Sequence, residues 1–189
     1  MKKEKQVDVF NKDWLAQPVI DGTLFSLEGF VENGQIHYIG LSRRSRIKYT
    51  ESQNFFPVED EVEVATYTKL TRILENLVRL SCYHNGYFHS EILFDGAKAY
   101  LIDANFGRVG GSSVVLQIAK ATGKTIEEIY THVLETTFSL DRSNPQTFYP
   151  TTKQKTLSIS YGVNQTSTFI NLSLTSAIKS DHIQLVLRQ

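Results

Sequence analysis

The 189-residue sequence holds a single cysteine, Cys82, which excludes an internal disulfide and a cysteine-based metal site. It lacks an excess of either charge: 20 Lys and Arg balance 20 Asp and Glu, and the isoelectric point is near 7.0. No global field therefore draws the chain to nucleic acid or to an anionic membrane. It also lacks an apolar run long enough to span a bilayer, and the charged opening MKKEKQ has no apolar segment behind it. A secretory signal is not expected and a cytoplasmic setting is. The sequons at Asn164 and Asn171 accordingly carry no weight. Internal repeats and low-complexity tracts are absent. What is there is 41% apolar and 21% charged residues, enough for one domain, or slightly more, with a real core.

The chain alternates strand and helix patterns. Residues 14–21, 23–32 and 35–48 read as strands, the last two joined by Asn33-Gly34, a strong hairpin signal. Residues 49–59 read as a loop. Residues 58–83 carry the clearest helical spacing, with Val62, Thr66, Leu70, Ile73, Leu77 and Leu80 on one face and Leu74 and Val78 beside them. Acidic residues crowd its start, as the helix dipole favours. Residues 112–123 and 125–137 predict two further helices, the second opened by a Thr125–Glu128 capping box. Residues 139–153 read as a loop, and the remainder alternates as strands. The pattern is α+β, an antiparallel sheet with packed helices.

One stretch needs more than folding. GYFHSEILFDGAKAYLIDANFGRVGG, residues 86–111, reads as a hairpin, yet it places Glu91 inside an apolar run and ends in Asp103, Asn105 and Arg108. A two-residue turn at Asp95-Gly96 pairs Glu91 with Tyr100 and sends Asp103 to the opposite face. A three-residue turn, Asp95 to Ala97, pairs Glu91 with Leu101 and Asp103 with His89, so that His89, Glu91 and Asp103 share a face. In that register two carboxylates converge, with the Asn105 oxygen nearby. Their repulsion is relieved by a divalent cation. Hard oxygen ligands select Mg²⁺ or Mn²⁺, and Mg²⁺ in turn implies phosphate oxygens and hence a nucleotide. Arg108, on a glycine-rich turn, is placed to hold an oxyanion or a transferring phosphoryl group. The plainer reading is an ordinary hairpin with an exposed acid.

The H-x-E, glycine turn, D-x-N and Arg before paired glycines over 89–111 resemble the ATP-grasp superfamily of ATP-dependent carboxylate–amine or thiol ligases, such as biotin carboxylase and the large subunit of carbamoyl phosphate synthase. The resemblance runs from about residue 14 to 137. It implies the ATP-grasp C-terminal subdomain, with ATP as cofactor, Glu91, Asp103 and Asn105 as ligands of Mg²⁺ or Mn²⁺, and Arg108 on the phosphoryl or acyl-phosphate group. It also implies that Gln17, Pro18 and Val19 lie against adenine. Leu24 stands where the family places an acid toward the ribose, with Glu28 further on. Arg108 is one residue later than usual, and Asp103 is a methylene shorter than the usual Glu.

By the same mapping residues 1–13 are a disordered stretch or linker, 14–137 the second half of an ATP-grasp unit, and 138–189 a β-rich extension of that domain. The family's phosphate-binding half has no counterpart before Trp14. The expected function is then the ATP- and Mg²⁺-binding half of a ligase that makes an acyl phosphate from a carboxylate for attack by an amine. The expected partners are ATP, small carboxylate and amine substrates, a separate chain or missing N-terminal half, and a homodimer mate if the last strands form an edge. No nucleic acid or membrane is expected. The alternative is a non-catalytic binding or assembly module on the same fold. Arg43, Arg44, Arg46 and Lys48 form either a solvated edge or a cluster with one or two members facing the cleft to hold a carboxylate. His89 is expected to orient a carboxylate, Cys82 to be a small core residue, and Phe55 and Phe56 to lid the core.

Overall fold

The computed structural model describes residues 17–47, 50–140 and 154–159. The strands are β1 (Thr23–Glu32), β2 (Gln35–Ile47), β3 (Thr50–Phe56), β4 (Gly86–Phe94), β5 (Ala99–Phe106) and β6 (Thr156–Ile159), and the helices α1 (Val64–Ser81), α2 (Ser112–Thr122) and α3 (Ile126–Thr137). All six strands form one antiparallel sheet in the order β5-β4-β1-β2-β3-β6.

β1 sits in the middle and alternates strictly. Phe25, Leu27 and Val31 pack with Phe88 and Ile92 of β4 against Leu70, Leu74 and Val78 of α1. Phe30, on the other face, joins Tyr87 against Val114, Val115 and Ile118 of α2 and Ile129 of α3. The sheet is therefore sandwiched, with α1 on one side and α2 and α3 on the other. The β1–β2 turn closes on Asn33 and Gly34, both at positive φ (51° and 78°), as a two-residue hairpin turn requires. The capping box at Thr125 forms in full: Thr125 N donates to Glu128 Oε2 at 2.7 Å, and Glu128 N donates to Thr125 Oγ1 at 3.1 Å.

Four expectations change. Residues 17–21 are irregular rather than the end of a strand, consistent with Pro18 removing a ladder donor, while 14–16 lie outside the described residues. Residues 50–56, expected as loop, are strand β3, held between β2 and β6. Its polar Asn54 is buried and tied to Gln117 of α2, through Asn54 Nδ2 to Gln117 Oε1 at 3.1 Å and Gln117 Nε2 to the Asn54 backbone O at 2.9 Å. The acids before α1 form a separate 3-10 turn, Glu59–Glu61, and none lies in the first turn of α1. Cys82 is not core: it is exposed and ends α1 in the left-handed conformation (φ 52°). Phe56 is fully buried, and Phe55 packs partly buried against the core beneath the Arg43 guanidinium. Strands expected beyond residue 159, and residues 1–13, fall outside the described residues.

Candidate functional site

The β4–β5 hairpin settles the register by a route neither turn length anticipated. Phe94 pairs with Ala99, so the loop is Asp95 to Lys98, and a bulge beside Ile92 skips Ile102 on β5. Asp95 Oδ1 fixes that loop by accepting from the backbone N–H groups of Ala97 (2.8 Å) and Lys98 (2.7 Å). The extra loop residue and the bulge compensate. Glu91 pairs directly with Asp103, and His89 with Asn105. Directly opposed residues project to the same face, so His89, Glu91, Asp103 and Asn105 line one surface.

The neighbouring strand extends this surface. β1 sets Glu28 opposite His89 and Ser26 opposite Glu91, and β2 sets Ser42 opposite Ser26 and Arg44 opposite Leu24. This is the face that carries Phe30 and Tyr87 under α2 and α3; past those helices it turns polar. Glu28 is 0% exposed, and its Oε1 is bonded to His89 Nδ1. His89 Nε2 lies 3.5 Å from Glu91 Oε1, and Arg44 Nη1 is bonded to that same oxygen. Burial alone would lower the His89 pKa, but its hydrogen bonds to Glu28 and Glu91 outweigh burial and raise it to about 9. The hydrogen bond from His89, helped by the Arg44 charge, holds the Glu91 carboxyl down at about 2 against the opposing effect of burial. Gly110, at the mouth of α2, lets the backbone lie against this pair: a Cβ there would stand 2.9 Å from His89 Nδ1 and 2.8 Å from Val114 Cγ1.

Asp103 is exposed, and Asn105 Nδ2 donates to its Oδ2 at 2.6 Å, which leaves the Asn105 carbonyl oxygen as a neutral donor atom beside two carboxylates. That set suits a hard divalent cation. Among the described residues no three His, Cys, Asp or Glu side chains converge as a protein-only cage would need. Two acids and an amide completed by water and phosphate are the usual provision for Mg²⁺. A buried, unpartnered Oε2 on Glu28 adds an unused acceptor to the same cluster.

The other expected residues stand apart. Arg108 is exposed on the turn after Gly107 (φ 82°), and among the described residues no hydrogen bond or ion pair joins it to Glu91, Asp103 or Asn105. Gln17, Pro18 and Val19 are exposed on the irregular segment before β1, Val19 at 95%. Two members of the cluster were not singled out by sequence spacing. Glu28 was set against a ribose, not under His89. Arg44 was one of four basic residues with nothing to choose among them; only the β1–β2 register shows that it faces Glu91.

No protein-family model and no curated protein matches the chain. Solved structures do match. L-amino acid ligase from Bacillus licheniformis superposes with a TM-score of 0.62 at 20% identity, over 77% of this chain and 35% of the other. Phosphoribosylglycinamide synthetase from Anaerococcus prevotii gives 0.53 at 16% identity, over 64% and 30%. N5-carboxyaminoimidazole ribonucleotide synthetase from Thermus thermophilus gives 0.52 at 11% identity, over 76% and 36%. The chain thus spans about a third of the length of each. The six-stranded antiparallel sheet with its three helices thus has the α+β fold found in ATP-grasp ligases.

Proposed function

We propose that this chain is the nucleotide- and metal-binding half of an ATP-grasp ligase, forming an acyl phosphate from a carboxylate for attack by an amine. The observation that carries the reading is the direct opposition of Glu91 and Asp103 on one face of the sheet, with Asn105 bonded to Asp103. Two like charges directly opposed across a strand pair destabilise it, so folding alone does not call for them. Magnesium, bound there with ATP, would neutralise phosphate charge. The chain's own residues do the rest. Glu28 holds His89, and His89 holds Glu91 ionised and aimed, with Arg44 as its counter-ion while no cation is bound. Asp103 and Asn105 complete the oxygen set. Arg108, on its glycine turn, reaches the phosphoryl or acyl-phosphate group, and Gln17 to Val19 read adenine, an assignment their exposure permits. Glu28, buried under His89, serves the nucleotide through that ring rather than by touching ribose. Catalysis of this kind is positioning and charge neutralisation, not covalent chemistry by the protein.

A second reading, a non-catalytic module, is favoured by one observation: Arg44 and His89 already balance Glu91 and Glu28 within the protein. Calorimetric titration of the chain with ATP, with and without Mg²⁺, separates the two. The ligase reading expects Mg²⁺-dependent ATP binding that is lost in Glu91→Gln. ATP binding that ignores both Mg²⁺ and that substitution, or no binding at all, supports the module.

A further inference from the structure

We propose that Arg44 is an exchangeable counter-ion, occupying Glu91 while the metal is absent and passing to a ligand oxyanion in the adjoining basic cleft when a divalent cation takes Glu91. The inference rests on the metal assignment above and adds to it a residue and an anion site.

Four observations carry it. First, Arg44 and Glu91 are separated by β1, so the guanidinium must cross a whole strand, on the order of 10 Å of sheet, to reach the carboxylate. Second, the strand positions beside it are small: Ser26, opposite Glu91, and Ser42, opposite Ser26, are fully buried, and among the described residues their hydroxyl oxygens have no hydrogen-bond partner. Buried hydroxyls left unmatched are costly, and two on the path between a cation and an acid point to polar ligand atoms that the serines would meet. Third, Arg44 forms part of the wall of a cleft of about 470 Å³ at the open end of β1 and β2, together with Arg43, Arg46, Asp21 and Phe55. Arg43 is already paired with Glu61 at 3.0 Å, so Arg44 and Arg46 are the lining cations set against Asp21, a balance that favours an anion in the cleft once Arg44 leaves Glu91. Fourth, Arg44 and Glu91 are only 11% and 18% exposed, so neither charge tolerates losing its partner to nothing.

Charge balance then dictates the coupling. A divalent cation on Glu91 and Asp103 displaces the guanidinium, which must find another anion within reach. An oxyanion entering the cleft, whether a nucleotide phosphate or a substrate carboxylate, satisfies it. Each event lowers the cost of the other, so cation and oxyanion bind cooperatively through one side chain.

The test measures Mn²⁺ affinity of the full chain by electron paramagnetic resonance, for wild type, Arg44→Met, Arg44→Lys and Glu91→Gln. Removing a competing cation should tighten Mn²⁺ binding by about fivefold in Arg44→Met. A merely structural arginine would weaken it, and unfolding would abolish it. In a second arm, at saturating Mn²⁺, ATP and acetate are titrated separately. Arg44→Met should weaken one of them by about tenfold, which identifies phosphate or carboxylate as the source, and Arg44→Lys should recover part of the loss. Equal or weaker Mn²⁺ affinity in Arg44→Met overturns the inference alone. Mn²⁺ binding that is absent from wild type, or unchanged in Glu91→Gln, overturns the metal assignment and this inference with it.

Discussion

The same two strands build two unlike surfaces on one face of the sheet. Where α2 and α3 cover it, Phe30 lies opposite Tyr87, and the ring pair packs onto His132, whose Nδ1 is 2.6 Å from Tyr87 Oη. One pleat further along, Glu28 lies opposite His89, and one pleat beyond that Ser26 lies opposite Glu91. The β1–β4 register runs through both without a break. The first half is an ordinary core. The second buries a carboxylate, an imidazole and two serine hydroxyls at a cost that folding does not repay. A sheet that could have carried valine there carries acids and cations instead, and the proposed site rests on this difference.

The contrast can be broken most forcefully at Glu28. Glu28→Leu leaves the buried His89 without its partner and should cost about 3–5 kcal/mol in urea unfolding. The double variant Glu28→Leu with His89→Leu should recover most of that loss while failing to bind nucleotide with Mg²⁺. If the double variant stays as unstable as the single one, the pair belongs to the structural half. In the covered half, Ile118→Ala should cost about 2–5 kcal/mol by cavity formation and leave the ATP affinity of the folded protein unchanged. Gly110→Ala joins the two halves, because its new methyl presses on both Val114 and His89. It should cost about 1–3 kcal/mol and weaken Mg²⁺-dependent ATP binding at the same time, which Ile118→Ala does not. Glu91→Gln should cost about 1–3 kcal/mol, because it leaves the largely buried Arg44 guanidinium facing a neutral amide, and this variant should lose the most binding.

How much of this was legible follows from where local chemistry decides. Asn33-Gly34 and the Thr125–Glu128 box fix their turn and cap by side-chain and backbone preferences within a few residues, and both appear as expected. α2 and α3 fall within a residue of their expected bounds. Strand β3 was not legible because TESQNFF has the composition of a loop, and its order comes from β2, β6 and the amide of Gln117, all remote in sequence. Residues 14–21 misled in the opposite way, with strand composition and no strand partner over 17–21. The two acids could be placed on one face from an assumed turn, but the actual loop is longer and is corrected by a bulge at Ile102, which nothing in AYLIDANF announces. Arg44 and Glu28 were hidden for a similar reason: their partners lie 47 and 61 residues away, joined only by strand order.

The most direct test of the central claim is where a paramagnetic cation sits. With Mn²⁺ and ATP added to isotopically labelled protein, amide resonances of Glu91, Asp103 and Asn105 should broaden first, ahead of those of Leu70 and Leu74 on the far side of the sheet. Broadening centred instead on the exposed acids Asp60 and Glu61, or spread evenly over the surface, would contradict the account.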